Sequence, residues 1–120
     1  TDMVILPGGL GGVHAILASE TARNFIRLAY EKNCLIAAIC AAPTILAKLH
    51  ITDGRKATCY PGLEDQMGAA QMIPCGAVQD GNVITGRAAG AADEFGLACL
   101  RALKGEEAAR QIASDIVYRA

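Results

Sequence analysis

The run Leu35-Ile36-Ala37-Ala38-Ile39 is uncharged and apolar throughout, and Cys40-Ala41-Ala42-Pro43 follows it without a polar break. A run this short, partly β-branched and preceded by Lys32-Asn33, has the pattern of a strand covered on both faces, as in parallel sheets flanked by helices. Pro43 then stands where a first helical turn tolerates proline, because the missing N–H has no intrahelical partner there. Thr44-Ile45-Leu46-Ala47-Lys48-Leu49 continues at helical spacing. The chain must therefore turn sharply between strand and helix, with Cys40 on the turn. Amides at the start of a helix carry partial positive charge, which favours a thiolate and can bring a cysteine pKa from ~8.5 toward the ~3.5–7.5 range of reactive thiols. The competing reading of Cys40 is a small residue filling space in the core.

The same order recurs upstream. Met3-Val4-Ile5-Leu6 is a second strand-like run, central and buried by its pattern, and it stops at Pro7-Gly8-Gly9, where the backbone must turn. A loop is expected next, and then a helix capped by Ser19 with Ala22, Phe25, Ile26, Ala29 and Tyr30 at helical spacing. Strand-helix-strand-helix order implies parallel pairing and an α/β architecture. Further on, Ala57-Thr58-Cys59-Tyr60 reads as a short third strand and 63–71 as helical turns. Ala77-Val78-Gln79 and Asn82-Val83-Ile84-Thr85 flank the hairpin dipeptide Asp80-Gly81. The spacing predicts a helix over 91–104 ended by Gly105, and another over 106–119 with Ala109, Ile112, Ala113 and Ile116 inward.

Composition excludes several function classes. The 120 residues fit one domain, 1–120, and a net charge of −1 offers no surface for nucleic acid. No apolar run reaches the ~20 residues of a membrane span, and no signal peptide is recognisable, so the expected setting is cytoplasmic. The five cysteines, Cys34, Cys40, Cys59, Cys75 and Cys99, are irregularly spaced with no C-x-x-C pair, which argues for reduced thiols and against a structural metal site. Gly9-Leu10-Gly11-Gly12-Val13-His14 lacks the last small residue of a dinucleotide loop, and Pro7 interrupts the strand-to-helix turn such a loop needs. His14 and His50 leave no evident Cys-His couple. His50 at a helix end reads as a cap or dipole partner, and Asp93 and Glu94 as first-turn acids complementing the next helix dipole.

Leu6-Pro7-Gly8-Gly9 together with Ala37-Ala38-Ile39-Cys40-Ala41-Ala42-Pro43 resembles the ThiJ/PfpI superfamily, in the branch of the parkinsonism-associated deglycase. Tyr60-Pro61 and the helix end at Lys104-Gly105 extend the resemblance over essentially the whole chain. It implies a flavodoxin-like three-layer α/β sandwich with a mostly parallel sheet, homodimeric, its cysteine on a nucleophile elbow. Members of that family begin with a further strand-helix-strand. The resemblance thus makes this chain the C-terminal part, partnered by an N-terminal segment that carries a glutamate beside the sulfur.

Carried over residue by residue, Cys40 matches the nucleophile, and the amides of Gly9 and Ala41 match an oxyanion-binding pair. Gly8, Tyr60 and Arg87 are candidate pocket residues, with a loop-fixing role the alternative for Arg87. Tyr60 stands where many relatives carry histidine, which removes a candidate general base. Ala41 directly after the cysteine argues against the peptidase branch. Ile39 before it argues against the glutamine amidotransferases, which have glycine there. The implied function is a cofactor-independent glyoxalase or deglycase acting on small carbonyl substrates, 2-oxoaldehydes such as methylglyoxal or their adducts. The alternative is a redox-responsive stress protein or chaperone with an oxidisable cysteine.

Overall fold

The computed structural model describes residues 2–116. Its elements run β1 (Met3–Leu6), α1 (Leu10–Ala18), α2 (Glu20–Glu31), β2 (Leu35–Ile39), α3 (Pro43–Lys48), β3 (Lys56–Ala57), β4 (Gln71–Met72), β5 (Ala77–Asp80), β6 (Val83–Gly86), α4 (Ala92–Lys104) and α5 (Glu106–Asp115). The main sheet has the order β1-β2-β6-β5, parallel except for the β5-β6 hairpin. Leu6 stands opposite Ala38, and Ile39 opposite Gly86, so the C-terminal ends of β1, β2 and β6 lie side by side. In an open parallel sheet, that end is where a loop-built site belongs.

The apolar run of β2 is explained by its neighbours. Ile36 and Ala38 face a cluster containing Leu6, Val13, Ile26, Ile45 and Leu46, while Ala37 faces Ile84, Phe95, Ala98 and Cys99 on the other side. Side chains alternate across a strand, so a strand with helices on both faces has no position left for a polar residue. Each fully buried Ile or Leu contributes roughly 1.5–3 kcal/mol through burial. Ser19 caps α2 by accepting the Ala22 N–H at 3.1 Å.

Several expectations are corrected. Residues 10–18 form α1 rather than a loop: Gly11 and Gly12 each cost the helix about 1 kcal/mol. Burial of Val13, with Ile16 and Leu17 packed beside it, outweighs that cost. β1 lies at the sheet edge among the described residues, and its Ile5 is 54% exposed. The third strand is only Lys56–Ala57 and pairs with β4 in a separate ladder, so the anticipated helical turns over 63–71 reduce to a 3-10 turn at Glu64–Gln66. The hairpin loop falls on Gly81-Asn82, because Asp80 already pairs with Val83. On α5 only Ala109 is buried. Ile112 and Ile116 are exposed, and residues 117–119 of that predicted helix lie outside the described residues.

Candidate active site

β2 ends at Ile39, and the next residue adopts φ 67°, a left-handed conformation that Cys40 holds without being glycine. Such a backbone costs on the order of 1–3 kcal/mol and persists only where the surroundings over-determine it. Here they do. The Cys40 N–H donates to the Gly86 carbonyl at 3.0 Å, extending the β2-β6 ladder by one residue, and the Cys40 carbonyl accepts the Tyr60 N–H at 2.8 Å. Beyond the turn, the Ala42 N–H returns to the Ile39 carbonyl at 3.1 Å, and the Thr44 hydroxyl donates to the Ala41 carbonyl at 2.6 Å. Pro43 is the first residue of α3, as its spacing predicts, and five of the six residues of that helix are buried.

The other side of the elbow is set by the Pro7-Gly8-Gly9 turn. A Cβ placed on Gly8 would lie 2.5 Å from the Cys40 Cβ and 3.3 Å from its Sγ, so the turn packs against the cysteine with only a hydrogen in between. Gly9 has φ 97° and open space where a side chain would go, so backbone conformation, not crowding, requires glycine there. Gly9, Leu10, Cys40, Ala41, Tyr60 and Leu63 line one cleft of ≈ 370 Å³. Among the described residues, no hydrogen bond uses the Gly9 or Ala41 N–H. The wall is otherwise apolar apart from Tyr60, which is 48% exposed. Backbone donors in such a setting stabilise negative charge developing on a ligand oxygen.

The segment 60–63 supplies a wall that the sequence indicated only at Tyr60. Pro61, Gly62 and Leu63 also line the cleft, with Gly62 at φ 100° and its N–H held by Glu64 Oε1 at 2.8 Å. The Pro-Gly pair was the available signal, since it marks a turn. Arg87 is placed differently from the expectation. Its backbone N–H donates to the Gly76 carbonyl at 2.8 Å, and it lines a neighbouring cleft behind Pro61, not the one that holds Cys40.

Three other thiols are held protonated by their surroundings. Burial, with the carboxylates of Glu64 and Asp65 adding to it, pushes the Cys59 thiol up to about 11. Burial alone brings Cys99 to about 11, and burial followed by Glu94 raises Cys75. The Cys59 and Cys75 thiols point to the carbonyls of Tyr60 and Ala77 at 3.4 and 3.5 Å. His14 is exposed on α1, and His50 pairs its Nδ1 with Asp53 Oδ2 at 2.9 Å, so neither lines the cleft. Glu94 does more than complement a helix dipole: it accepts the Ala77 N–H at 3.1 Å and ties α4 to β5. Among the described residues no cluster of His, Cys, Asp or Glu could hold a metal ion, and no helix is long and apolar enough to cross a membrane.

Comparison with known proteins places this geometry. The DJ-1/PfpI family profile matches residues 1–102. Protein dj-1beta of Drosophila melanogaster is 39% identical over 118 residues, covering 97% of this chain. The Parkinson disease protein 7 homolog of Danio rerio is 36% identical over 121 residues, covering 98%. The chain spans 63% and 64% of the lengths of these two relatives. The crystal structure of Drosophila DJ-1beta superposes with a TM-score of 0.90 at 38% identity, over 99% of this chain and 65% of the other. The solved structure of Toxoplasma gondii DJ-1 in oxidized form superposes equally well, at TM-score 0.90 and 28% identity, over 99% of this chain and 65% of that one.

Proposed function

Because this chain belongs to the DJ-1/PfpI family, we propose that it acts as a cysteine-dependent enzyme of the glyoxalase or deglycase type, with Cys40 as the nucleophile. The observation that carries the reading is the elbow: a cysteine held at φ 67°, in a cleft shared with the Gly9 and Ala41 amides. The substrate class is 2-oxoaldehydes and their early adducts. The Cys40 sulfur adds to the aldehyde carbon, a C–S bond forming as the carbonyl π bond opens, and the resulting oxyanion takes the N–H groups of Gly9 and Ala41. A proton then leaves that carbon and another arrives at the adjacent ketone carbon through water, giving a 2-hydroxyacyl thioester. Water cleaves the thioester to the 2-hydroxy acid and restores the thiol. The sum is one aldehyde plus one water to one hydroxy acid, with no net redox change and no cofactor.

The test is turnover of methylglyoxal to lactate by metal-free protein. We expect Cys40→Ser to lower the rate by at least about 10³-fold, as loss of a covalent nucleophile does elsewhere. Near-normal activity in that variant would refute the mechanism.

The oxidized Toxoplasma relative favours a second reading, in which Cys40 is a peroxide-responsive thiol. A peroxide would transfer one oxygen to the sulfur, releasing water and leaving a sulfenate facing the same amides. Peptide mass spectrometry after peroxide titration should find Cys40 oxidised before the other thiols.

A further inference from the structure

The elbow and the 57–64 loop are joined twice, once directly and once through β6. Directly, the Tyr60 N–H donates to the Cys40 carbonyl at 2.8 Å. Through β6, the Gly86 carbonyl accepts the Cys40 N–H at 3.0 Å, and the residue before it, Thr85, accepts the Thr58 N–H on its hydroxyl oxygen at 2.9 Å. These bonds close a ring that runs from Cys40 to Gly86 and Thr85, across to Thr58, along the chain to Tyr60 and back to Cys40. One circuit thus holds Cys40 at both its N–H and its carbonyl.

Two of the three bonds join backbone to backbone, and only proline at the donor would remove one of those. The third ends on a side chain. Thr85 is fully buried on β6, in register with Ala38 on one side and Val78 on the other, so its hydroxyl stands at a fixed place in the sheet. Thr58 is only 3% exposed, which leaves its N–H little access to solvent if that acceptor is lost. The Thr58 hydroxyl is already committed, donating to the Cys75 carbonyl at 3.2 Å. Orphaning a buried donor shifts the equilibrium away from the conformation that buries it by a factor of about 5–150.

Resting on the reading of Cys40 as the nucleophile, we propose that Thr85 is a positioning residue for it, although Thr85 does not line the Cys40 cleft: its hydroxyl oxygen closes the ring that holds the elbow and the loop together. Without that oxygen the segment 58–60 is no longer tied to β6, and the Tyr60 N–H draws away from the Cys40 carbonyl. The left-handed conformation of Cys40 then loses one of the bonds that over-determine it, and the sulfur loses its fixed place beside Gly9 and Ala41.

The test sets shape against oxygen. Thr85→Val keeps the branched volume and loses the acceptor, whereas Thr85→Ser keeps the acceptor and loses a methyl group. In folded protein, well below each variant's melting midpoint, we expect kcat for methylglyoxal to stay within about threefold in the serine variant and to fall at least about tenfold in the valine variant. A residue that only fills space predicts the reverse order. Should the valine variant not fold, Thr85→Ala against Thr85→Ser differs by the oxygen alone and reads the same contrast. Amide hydrogen exchange at Tyr60 follows the ring without any turnover: it should be at least about tenfold faster in the variant lacking the oxygen and close to wild type in the serine variant. Equal or better kcat without the oxygen than in Thr85→Ser overturns the proposal, and so does unchanged exchange at Tyr60. The expected exchange pattern in a protein that turns over no methylglyoxal in any form supports the hold of Thr85 on Cys40 and refutes the enzymatic reading instead.

Discussion

The elbow at 39–43 and the loop at 57–64 meet at one hydrogen bond, Tyr60 N–H to the Cys40 carbonyl, yet they build their chemistry differently. The elbow is backbone architecture: a strained φ, a ladder bond to Gly86 and a glycine turn pressed against the cysteine. The loop works through side chains. Its thiol, Cys59, is buried and faces Glu64 and Asp65, so it stays protonated where a cysteine in solution would begin to ionise. Two cysteines on either side of one tyrosine backbone thus sit in different surroundings that residue type does not decide, Cys40 in a cleft lined also by Gly9 and Ala41, and Cys59 buried beside two carboxylates.

The largest effect that tests this contrast is selective alkylation. At pH 8 a thiol raised to about 11 is thiolate only about one part in a thousand, so Cys59 and Cys99 should react with iodoacetamide more than about 100-fold slower than an ordinary exposed thiol. Cys40 should be the first of the thiols modified, read by peptide mapping over time. Comparable labelling of Cys40 and Cys59 in folded protein would erase the distinction between the two regions. The sign for stability follows from the same shifts. A group raised on folding lends stability in full below its unfolded pKa and loses it as pH rises through the folded value. Urea midpoints should therefore fall between about pH 9 and 11, and fall less in Cys59→Ala measured against its own neutral-pH midpoint.

Gly8→Ala comes next. The added methyl meets the Cys40 Cβ at 2.5 Å and the Ile39 carbonyl at 3.1 Å, neither of which is the loose end of a flexible side chain. The turn or the elbow has to move. A displacement near 1 Å at a reacting atom can cost about 10²-fold in rate, and the overpacking should cost about 1–3 kcal/mol in chemical denaturation. Unchanged methylglyoxal turnover in this variant would mean that the close packing of the glycine turn does not set the sulfur's position.

Much of this was legible in the sequence, and the reasons are local. Strands β1 and β2, the Ser19 cap, Pro43 at the start of α3 and the β5-β6 hairpin each follow from a few neighbouring residues. The elbow follows with them, since strand, turn and helix are contiguous. What was not legible depends on partners distant in sequence. Helix α1 exists because Val13 is buried against other elements despite its glycines. β3 is tied to β4 by pairing Lys56 with Gln71. The 57–64 loop is held by the Thr58 N–H on the Thr85 hydroxyl at 2.9 Å, a bond across 27 positions that no local pattern announces. Arg87 lines the neighbouring cleft, and its backbone N–H is tied to the Gly76 carbonyl, eleven positions back, a link its own loop does not announce.

The smallest predicted effect falls on the residue that joins the two regions. Tyr60 gives the elbow its backbone N–H, which Tyr60→Phe keeps, and the phenylalanine ring preserves the cleft wall. If the elbow is backbone architecture, that variant should lose no more than about twofold in kcat/KM for methylglyoxal. General acid or base catalysis contributes about 10²–10⁴-fold where it operates. A loss of that size would assign the proton transfers to the Tyr60 hydroxyl in place of water, and would make the loop a chemical partner of Cys40 instead of its wall. The pH profile separates the two outcomes: a phenolic acid or base adds an ionisation to the wild-type profile that the phenylalanine variant lacks, whereas a wall residue leaves the shape of the profile intact.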